Sequence, residues 1–245
     1  PGKPANNKQH TIAYKGVAIR LDSGPGGVAK GSHWALYEHD TMRLAGLWSS
    51  DPKSNKRFID YHGIMFDGQH GVHPRTVGQH HLSTPDGPGW ANPKTQQYDD
   101  ARVVGRDGRR YGPLARDHVR YRGLYQHGAQ IVFSFTVGDA AVLEAPHLVE
   151  LPDGPLFLRT LQIGPRSAPL RLLASVTSPN VAAPTLIAKG EGVALKAGED
   201  GKFEVLIEKG DAPAEFTLLY PSDKVAQTDW TASLVLPEID FETLK

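Results

Sequence analysis

Histidine is the residue type in this sequence with the clearest capacity for chemistry. The chain has 11 histidines, and five of them lie between residues 62 and 81. A neutral imidazole is a common metal ligand and an acid or base near neutral pH. In an extended strand, H-x-x-H places its two rings on opposite faces, so His70 and His73 meet only if the chain turns at Gly71. We predict that His70, His73 and Asp40 form a catalytic group and that His80 and His81 are metal ligands. The alternative is that these histidines are ordinary loop or core residues.

A tryptophan in a glycine- and proline-rich segment is the second candidate. Trp90 ends a Gly-Pro-Gly-Trp run, and Tyr98 follows a few residues later. An aromatic ring in an irregular loop can stack on the face of a sugar. A ring in the same position can instead plug the end of a β-sandwich, and that alternative stays open for Trp90. We predict four substrate-binding residues: Trp90, Tyr98, Arg43 and His127.

Composition excludes several kinds of site. The chain has no cysteine, which excludes disulfides, thiolate zinc sites, a cysteine nucleophile and the C-x-x-C-H attachment of c-type haem within these residues. Lysine plus arginine and aspartate plus glutamate are 27 each, so the basic excess typical of nucleic-acid binders is missing. The arginine-rich run at 102–122 is offset by aspartates, which favours a salt-bridged loop.

Other motif classes are also unsupported. The sequence contains neither the nucleotide-binding G-x-x-x-x-G-K-[ST] pattern nor the serine-hydrolase G-x-S-x-G pattern. No run approaches the roughly 18 apolar residues of a membrane span. Residues 1–4 carry no apolar signal segment, so we expect that any secretion signal was removed or lies upstream.

Short apolar or alternating runs, separated by glycine and proline, predict strands throughout the chain. We therefore expect an all-β fold, an antiparallel β-sandwich, in a single domain spanning residues 1–245. The region 67–114 is rich in histidine, glycine and proline and is predicted to be a long loop region. The predicted strands are 11–21, 34–37, 41–48, 57–66, 119–125, 130–137, 141–151, 157–163, 170–176, 185–188, 193–197, 203–208, 215–220 and 232–236.

Six segments, in this order, resemble an uncharacterised bacterial domain family, the domain of unknown function 6797 type. They are 15–21 (KGVAIRL), 40–48 (DTMRLAGLW), 71–74 (GVHP), 87–91 (GPGWA), 121–128 (YRGLYQHG) and 142–144 (VLE). The resemblance is good from about residue 11 to 160 and loose elsewhere. The family occurs near the front of large exported planctomycete and verrucomicrobial proteins.

The resemblance implies context more than chemistry. Proteins of this kind typically continue into a β-propeller and often carry a c-type cytochrome domain. The chain is therefore expected to be one module of an extracytoplasmic, redox-associated protein, with the propeller and cytochrome domains as its partners. No cofactor is expected within this chain, and a c-type haem is expected elsewhere in the full-length protein.

These observations predict an accessory or structural β-sandwich domain. The alternative is a carbohydrate-active or carbohydrate-binding domain that uses histidine, aspartate and tryptophan side chains of the central loops, with a glycan as its partner. The residues leave open whether the domain is catalytic.

Overall fold

The structure is a computed structural model. It describes residues 13–25, 31–50, 59–60, 75–76, 78–106, 108–176, 182–227, 230–231 and 234–243. The predicted catalytic residues His70 and His73 lie outside the described residues, as does most of the predicted strand 57–66.

The described residues form antiparallel strands and include a short 3₁₀ turn, Val225–Gln227. The strands are β1 (Gly16–Arg20), β2 (His33–Glu38), β3 (Arg43–Ser49), β4 (Ile59–Asp60), β5 (Arg75–Thr76), β6 (Gln79–Ser83), β7 (Val103–Val104), β8 (Arg110–Tyr111), β9 (Val119–His127), β10 (Gln130–Val137), β11 (Ala140–Leu151), β12 (Gly154–Ile163), β13 (Leu170–Val176), β14 (Thr185–Lys189), β15 (Val193–Ala197), β16 (Lys202–Ile207) and β17 (Ala214–Pro221).

The described strands form three sheets of three or more strands and two two-stranded sheets, β4–β5 and β7–β8. A four-stranded sheet has the order β1-β2-β3-β6, a six-stranded sheet the order β14-β17-β12-β11-β10-β9, and a three-stranded sheet the order β13-β16-β15. The four- and six-stranded sheets pack face to face; the rings of Tyr37 and Phe133, for example, lie 4.5 Å apart. The predicted all-β class with antiparallel sheets is confirmed.

One buried apolar cluster joins the three sheets and contains residues from Ile19 to Tyr220. Strand β10 shows how the sequence builds it. Phe133, Phe135 and Val137 alternate into this cluster with Ile131 packed beside them, as a period of two requires. The intervening Val132 faces the other side of the sheet.

The outer face of the six-stranded sheet is covered by residues near the C-terminus. Leu234 and Leu236 pack against Leu156, Leu158 and Leu219, and Phe241 packs against Val132, Leu143 and Ala145. The strand predicted at 232–236 is wrong over its described part, because residues 234–236 form no strand. Their apolar alternation serves packing on a sheet, with Val235 between them 83% exposed.

The region predicted as a long loop contains strand β6, the short strands β5, β7 and β8, and a core segment. Strand β6 extends the four-stranded sheet by pairing with β3. Residues 87–91 are all buried. In these two stretches the prediction of a loop is wrong. Residues 79–83 pair with β3 as a strand. Residues 87–91 are a buried segment whose Trp90 side chain fills the core.

The segment around Trp90 links two sheets through backbone hydrogen bonds. The N–H of Gly89 donates to the carbonyl of Thr41 at 3.2 Å, and the N–H of Leu173 in β13 donates to the carbonyl of Gly89 at 2.9 Å. A Cβ at Gly89 would lie 2.5 Å from the carbonyl oxygen of Met42, so this close approach requires glycine. The Trp90 ring is fully buried and meets Phe135 edge to face, with 6.0 Å between centroids.

Because Trp90 fills the space between sheets, Trp90→Ala should lower the free energy of unfolding by about 3–5 kcal/mol. Urea unfolding followed by circular dichroism measures the change. Val103→Ala is the control, since Val103 is 74% exposed and should change stability by less than about 0.5 kcal/mol. A loss below about 1 kcal/mol for Trp90→Ala would show that the ring is not a core plug.

Candidate functional site

A group of charged side chains surrounds the turn between β2 and β3. Its centre is Arg43, which is 1% exposed. Arg43 Nη2 donates to Glu38 Oε2 at 2.7 Å and to Asp86 Oδ1 at 3.2 Å, and Nη1 donates to the carbonyl of Thr84 at 2.7 Å. Arg43 was predicted to contact substrate, but the structure engages its guanidinium in internal bonds.

A second arginine extends this group. Arg102 donates through Nε and Nη2 to the two oxygens of Asp100, at 2.9 and 2.8 Å, and its Nη1 lies 3.7 Å from Glu38 Oε1. Burial acts to raise the pKa of Asp100, but the hydrogen bonds from Arg102 outweigh it and the pKa is lowered. The two guanidinium groups therefore face three carboxylates, which leaves one more negative than positive charge among these five side chains.

Asp40 lies in the turn itself and is the described member of the predicted catalytic group. It is 5% exposed; its Oδ1 lies 2.8 Å from His39 Nδ1, and its Oδ2 lies 3.1 Å from Lys15 Nζ. The His39 ring stacks in parallel on Tyr121 with 5.2 Å between centroids. A carboxylate beside an imidazole can orient that ring for hydrogen bonding or proton transfer. The sequence prediction had not included His39 in the group.

A row of three polar side chains lies at the other end of the same sheet. His33 begins β2 and Ser49 ends β3, and the two residues are paired across the strands. Beside them in β6, the His81 ring nitrogen Nε2 lies 2.8 Å from Ser49 Oγ. Both histidine rings contact Phe157 of the six-stranded sheet, at centroid distances of 6.1 Å for His33 and 5.1 Å for His81. We call His33, Ser49 and His81 the histidine row.

A β-bulge gives His81 this orientation. The β3–β6 ladder pairs Leu47 with Leu82 and Trp48 with His80, which leaves His81 as the extra residue. His80 stacks on Trp48 and bonds through Nε2 to Thr76 Oγ1 at 2.7 Å. The predicted metal ligands His80 and His81 thus occupy opposite faces of the sheet, and the structure does not bring them together.

The histidine row is held in the neutral form. The pKa of His81 is lowered to about 4: burial is the main cause, Asp223 opposes it, and nearby His33 and His80 add to it. Burial also lowers the pKa of His33 against the opposing influence of Asp22 and Glu150. Near pH 7 both rings are therefore uncharged and can act as ligand, hydrogen-bond partner or base.

The predicted substrate-binding residues lie in separate places. Trp90 is in the core and Arg43 in the charged turn. His127 lies at the exposed end of β9. Tyr98 is half-buried beneath the guanidinium of Arg171, which lies 5.8 Å from its ring centroid.

Arg171 lines a cleft of about 360 Å³ on the three-stranded sheet. Its Nη2 donates to Glu204 Oε2 at 2.6 Å and its Nη1 donates to the carbonyl of Gln96, also at 2.6 Å. Apolar and polar groups share the wall, including Gln96, Leu170, Lys196, Leu206 and Glu208. The sequence analysis predicted Tyr98, which is not among the residues that line the cleft, and did not predict the cleft itself, because the cleft arises from strand pairing.

Within the part of the chain that the structure describes, no group of three or more histidine, aspartate or glutamate side chains could hold a metal ion. Over those same residues, no helix has the length and apolar character needed to cross a membrane.

The fold and these clusters define a class of protein: an all-β domain of packed antiparallel sheets with paired charges at the turn between β2 and β3 and a histidine row in which His81 is buried. Residues 35–144, which are less than half of the chain, match the model of the family described as Domain of unknown function (DUF6797), and over this stretch the chain is similar to that family. The match includes the charged turn, Trp90 and five of the six segments of the resemblance. No curated protein and no solved structure matches the chain.

The buried neutral state of His81 predicts a stability that depends on pH. The folded pKa is about 4 and the unfolded value about 6.5, so the unfolded chain binds the proton more readily between these values. Stability should therefore fall as the pH falls from 6.5 to 4, and His81 should account for about 2–3 kcal/mol of the loss.

Urea unfolding at pH 7.5 and 4.5 measures this contribution. His81→Gln should reduce the difference between the two pH values by that amount. His127→Gln, at an exposed position, should leave the difference unchanged. If the pH profile of His81→Gln runs parallel to that of the wild-type chain, the buried ring does not carry the effect.

Proposed function

We propose that this chain is an accessory β-sandwich domain of an exported, redox-associated multidomain protein, and that it docks on a neighbouring domain through strand β9. The observation that carries the proposal is the exposure of this strand. β9 forms one edge of the six-stranded sheet, and all four residues of its last part, 124–127, are exposed. The context of export and of propeller and cytochrome domains comes from the family resemblance.

An exposed strand edge offers unpaired N–H and C=O groups to another chain. Among the described residues, β9 pairs on one side alone, with β10. Two large apolar side chains stand on this edge: Leu124 is 42% exposed and Tyr125 is 39% exposed. Aromatic side chains of this kind are enriched at the centres of interfaces, where they bury area at low entropic cost.

The first part of β9 has features that limit pairing. The β9–β10 ladder shifts register at Arg122, between the pairs Ser134–Gly123 and Phe135–Tyr121, and Arg120 and Arg122 are exposed. Bulges and charged side chains protect edges from unwanted pairing. The docking surface is therefore assigned to residues 124–127, which we call the β9 edge.

A photo-reactive amino acid at position 125, introduced into the protein in its producing cell, tests the docking. We expect cross-links from position 125 to another domain of the same polypeptide or to an exported propeller or cytochrome domain. Position 187 is the matched control, because Ile187 lies in β14 at the opposite edge of the same sheet and is 38% exposed.

Binding to the purified cross-linked domain then gives the energetics. Tyr125→Ser should weaken binding about tenfold or more, a loss of about 1.4 kcal/mol, and Ile187→Ser should not. Equal cross-linking from positions 125 and 187, or cross-links to cytoplasmic proteins alone, would contradict the proposal.

Carbohydrate binding is the second candidate, and the cleft beside Arg171 is the observation that favours it. Its volume of about 360 Å³ falls in the range of small-molecule sites. The cleft is lined by apolar side chains such as Leu206, by the amide of Gln96 and by charged side chains of both signs. The Nε of Arg171 is buried and has no hydrogen-bond partner among the described residues, so a polar ligand would satisfy it.

Screening against a panel of oligosaccharides, followed by calorimetry with the tightest binder, tests this candidate. Lys196→Ala, in the cleft wall, should weaken binding about tenfold. Lys224→Ala, an exposed lysine outside the cleft, is the matched control and should bind as the wild-type chain does. Failure to bind any oligosaccharide at millimolar concentration would remove the candidate.

A further inference from the structure

We infer that the domain that docks on the β9 edge presents an acidic protein surface, and that this surface meets exposed arginines at the start of β9 and in the segment before it. The inference deepens the docking proposed above and rests on it. The first observation is a separation of charge along the chain. Residues 102–122 contain seven arginines and two aspartates, an excess of five positive charges, although the whole chain has as many acidic as basic residues.

Internal ion pairs neutralise only part of this segment. The buried Arg102 binds Asp100, and Asp117 is paired with Lys94 from outside the segment, with 2.5 Å between Nζ and Oδ2. Four arginines of the segment are exposed and form no ion pair with a described residue, and we call them the arginine surface: Arg106, Arg116, Arg120 and Arg122. Such a group of positive charges attracts an acidic partner.

The turn between β2 and β3 holds the segment together. Residues 38–40 of this turn contact the segment at three points, Arg102, Leu114 and Tyr121. The contacts are an ion pair with Arg102 at 3.7 Å, a backbone hydrogen bond from Leu114 at 3.1 Å and a histidine ring stacked on Tyr121 with 5.2 Å between centroids. The segment is therefore folded around one turn, which keeps its exposed arginines in one region of the molecule.

Exposed apolar side chains accompany the arginines. Val103 and Val104 of β7 are 74% and 54% exposed, and Leu124 and Tyr125 continue the apolar contribution at the β9 edge. A folded protein can cover such a mixed surface because it offers aliphatic side chains and carboxylates together. A polyanionic glycan offers the charge without the apolar side chains. The valines therefore favour a protein domain as the acidic partner.

The type of basic residue also favours a protein interface. The segment 102–122 contains no lysine. Arginine is enriched and lysine depleted at the centres of protein interfaces. The planar guanidinium can bind both oxygens of a carboxylate, which a lysine ammonium cannot do with the same fixed geometry. We therefore expect aspartate and glutamate side chains on the partner opposite the arginine surface.

A photo-reactive amino acid at position 104, introduced into the protein in its producing cell, identifies the partner's side of this contact. It should cross-link to the same domain as position 125, at a site rich in aspartate and glutamate. Cross-links from position 125 without any from position 104 to that domain would overturn the acidic contact and leave the docking proposal intact. Failure of position 125 to cross-link to any exported domain would contradict the docking itself.

Binding kinetics with the purified cross-linked domain test the role of charge. At 50 mM NaCl, the double variant Arg120→Glu/Arg122→Glu should associate about tenfold more slowly or worse, because electrostatic steering acts before contact. At 500 mM NaCl the difference should shrink to about twofold, since salt screens exposed charges. Lys209→Glu/Lys224→Glu is the matched control, because it makes the same change of charge at two exposed lysines outside the segment, and it should associate as the wild-type chain does.

A charge exchange separates recognition from a general effect. Replacing the acidic residues at the partner's cross-linked site by arginine should restore association of the Arg120→Glu/Arg122→Glu variant. If that variant has a lowered melting temperature, Arg106→Glu/Arg116→Glu takes its place. Association rates that do not depend on NaCl, or equal slowing in the lysine control, would overturn the inference. So would a loss of heparin binding in the arginine variant with unchanged association to the domain, which would assign the surface to a polyanionic glycan.

Discussion

The close approach of Gly89 to the turn between β2 and β3 is the constraint on which the rest of the domain depends. The carbonyl and N–H of Gly89 bond to two different sheets, through Leu173 and Thr41. A side chain at position 89 would collide with the backbone of Met42 and Arg43, so the crossing tolerates glycine alone. The next residue, Trp90, is thereby delivered into the core, where its ring fills the space between the sheets.

The passage of residues 84–91 over this turn also explains how the buried Arg43 finds its partners. Residues 84–91 pass over the turn, which brings Asp86 and the carbonyl of Thr84 onto Arg43. A buried guanidinium without such partners would be strongly destabilising, because desolvation of a charge costs several kcal/mol. The core of the six-stranded sheet has a parallel case in Arg159 and Glu144, which are 1% and 0% exposed and bond to each other through two pairs of atoms. Buried charges in this domain therefore hold segments of the chain in position.

The sequence predicted most strands because alternation is a local signal. The bounds of β10, β13 and β15 are those predicted, and each has apolar residues spaced by two. Strand β6 was missed because it is mostly polar and its bulge at His81 breaks the alternation. The histidine row and the cleft were missed for a different reason: each depends on the register between strands that are distant in sequence, and no short motif encodes that register.

The bulge at His81 separates two side chains, His80 and His81, which the sequence analysis had predicted to act as a pair. In a regular β6, alternation with Leu82 would turn His81 to the outer face, while Leu82 faces the core. The extra residue in the ladder lets His81 and Leu82 both face inward, and His80 is left against Trp48. The histidine row is therefore a feature of the four-stranded sheet, whereas the β9 edge belongs to the six-stranded sheet. Since no strand is shared between them, the histidine row and the β9 edge are physically separate features of one domain.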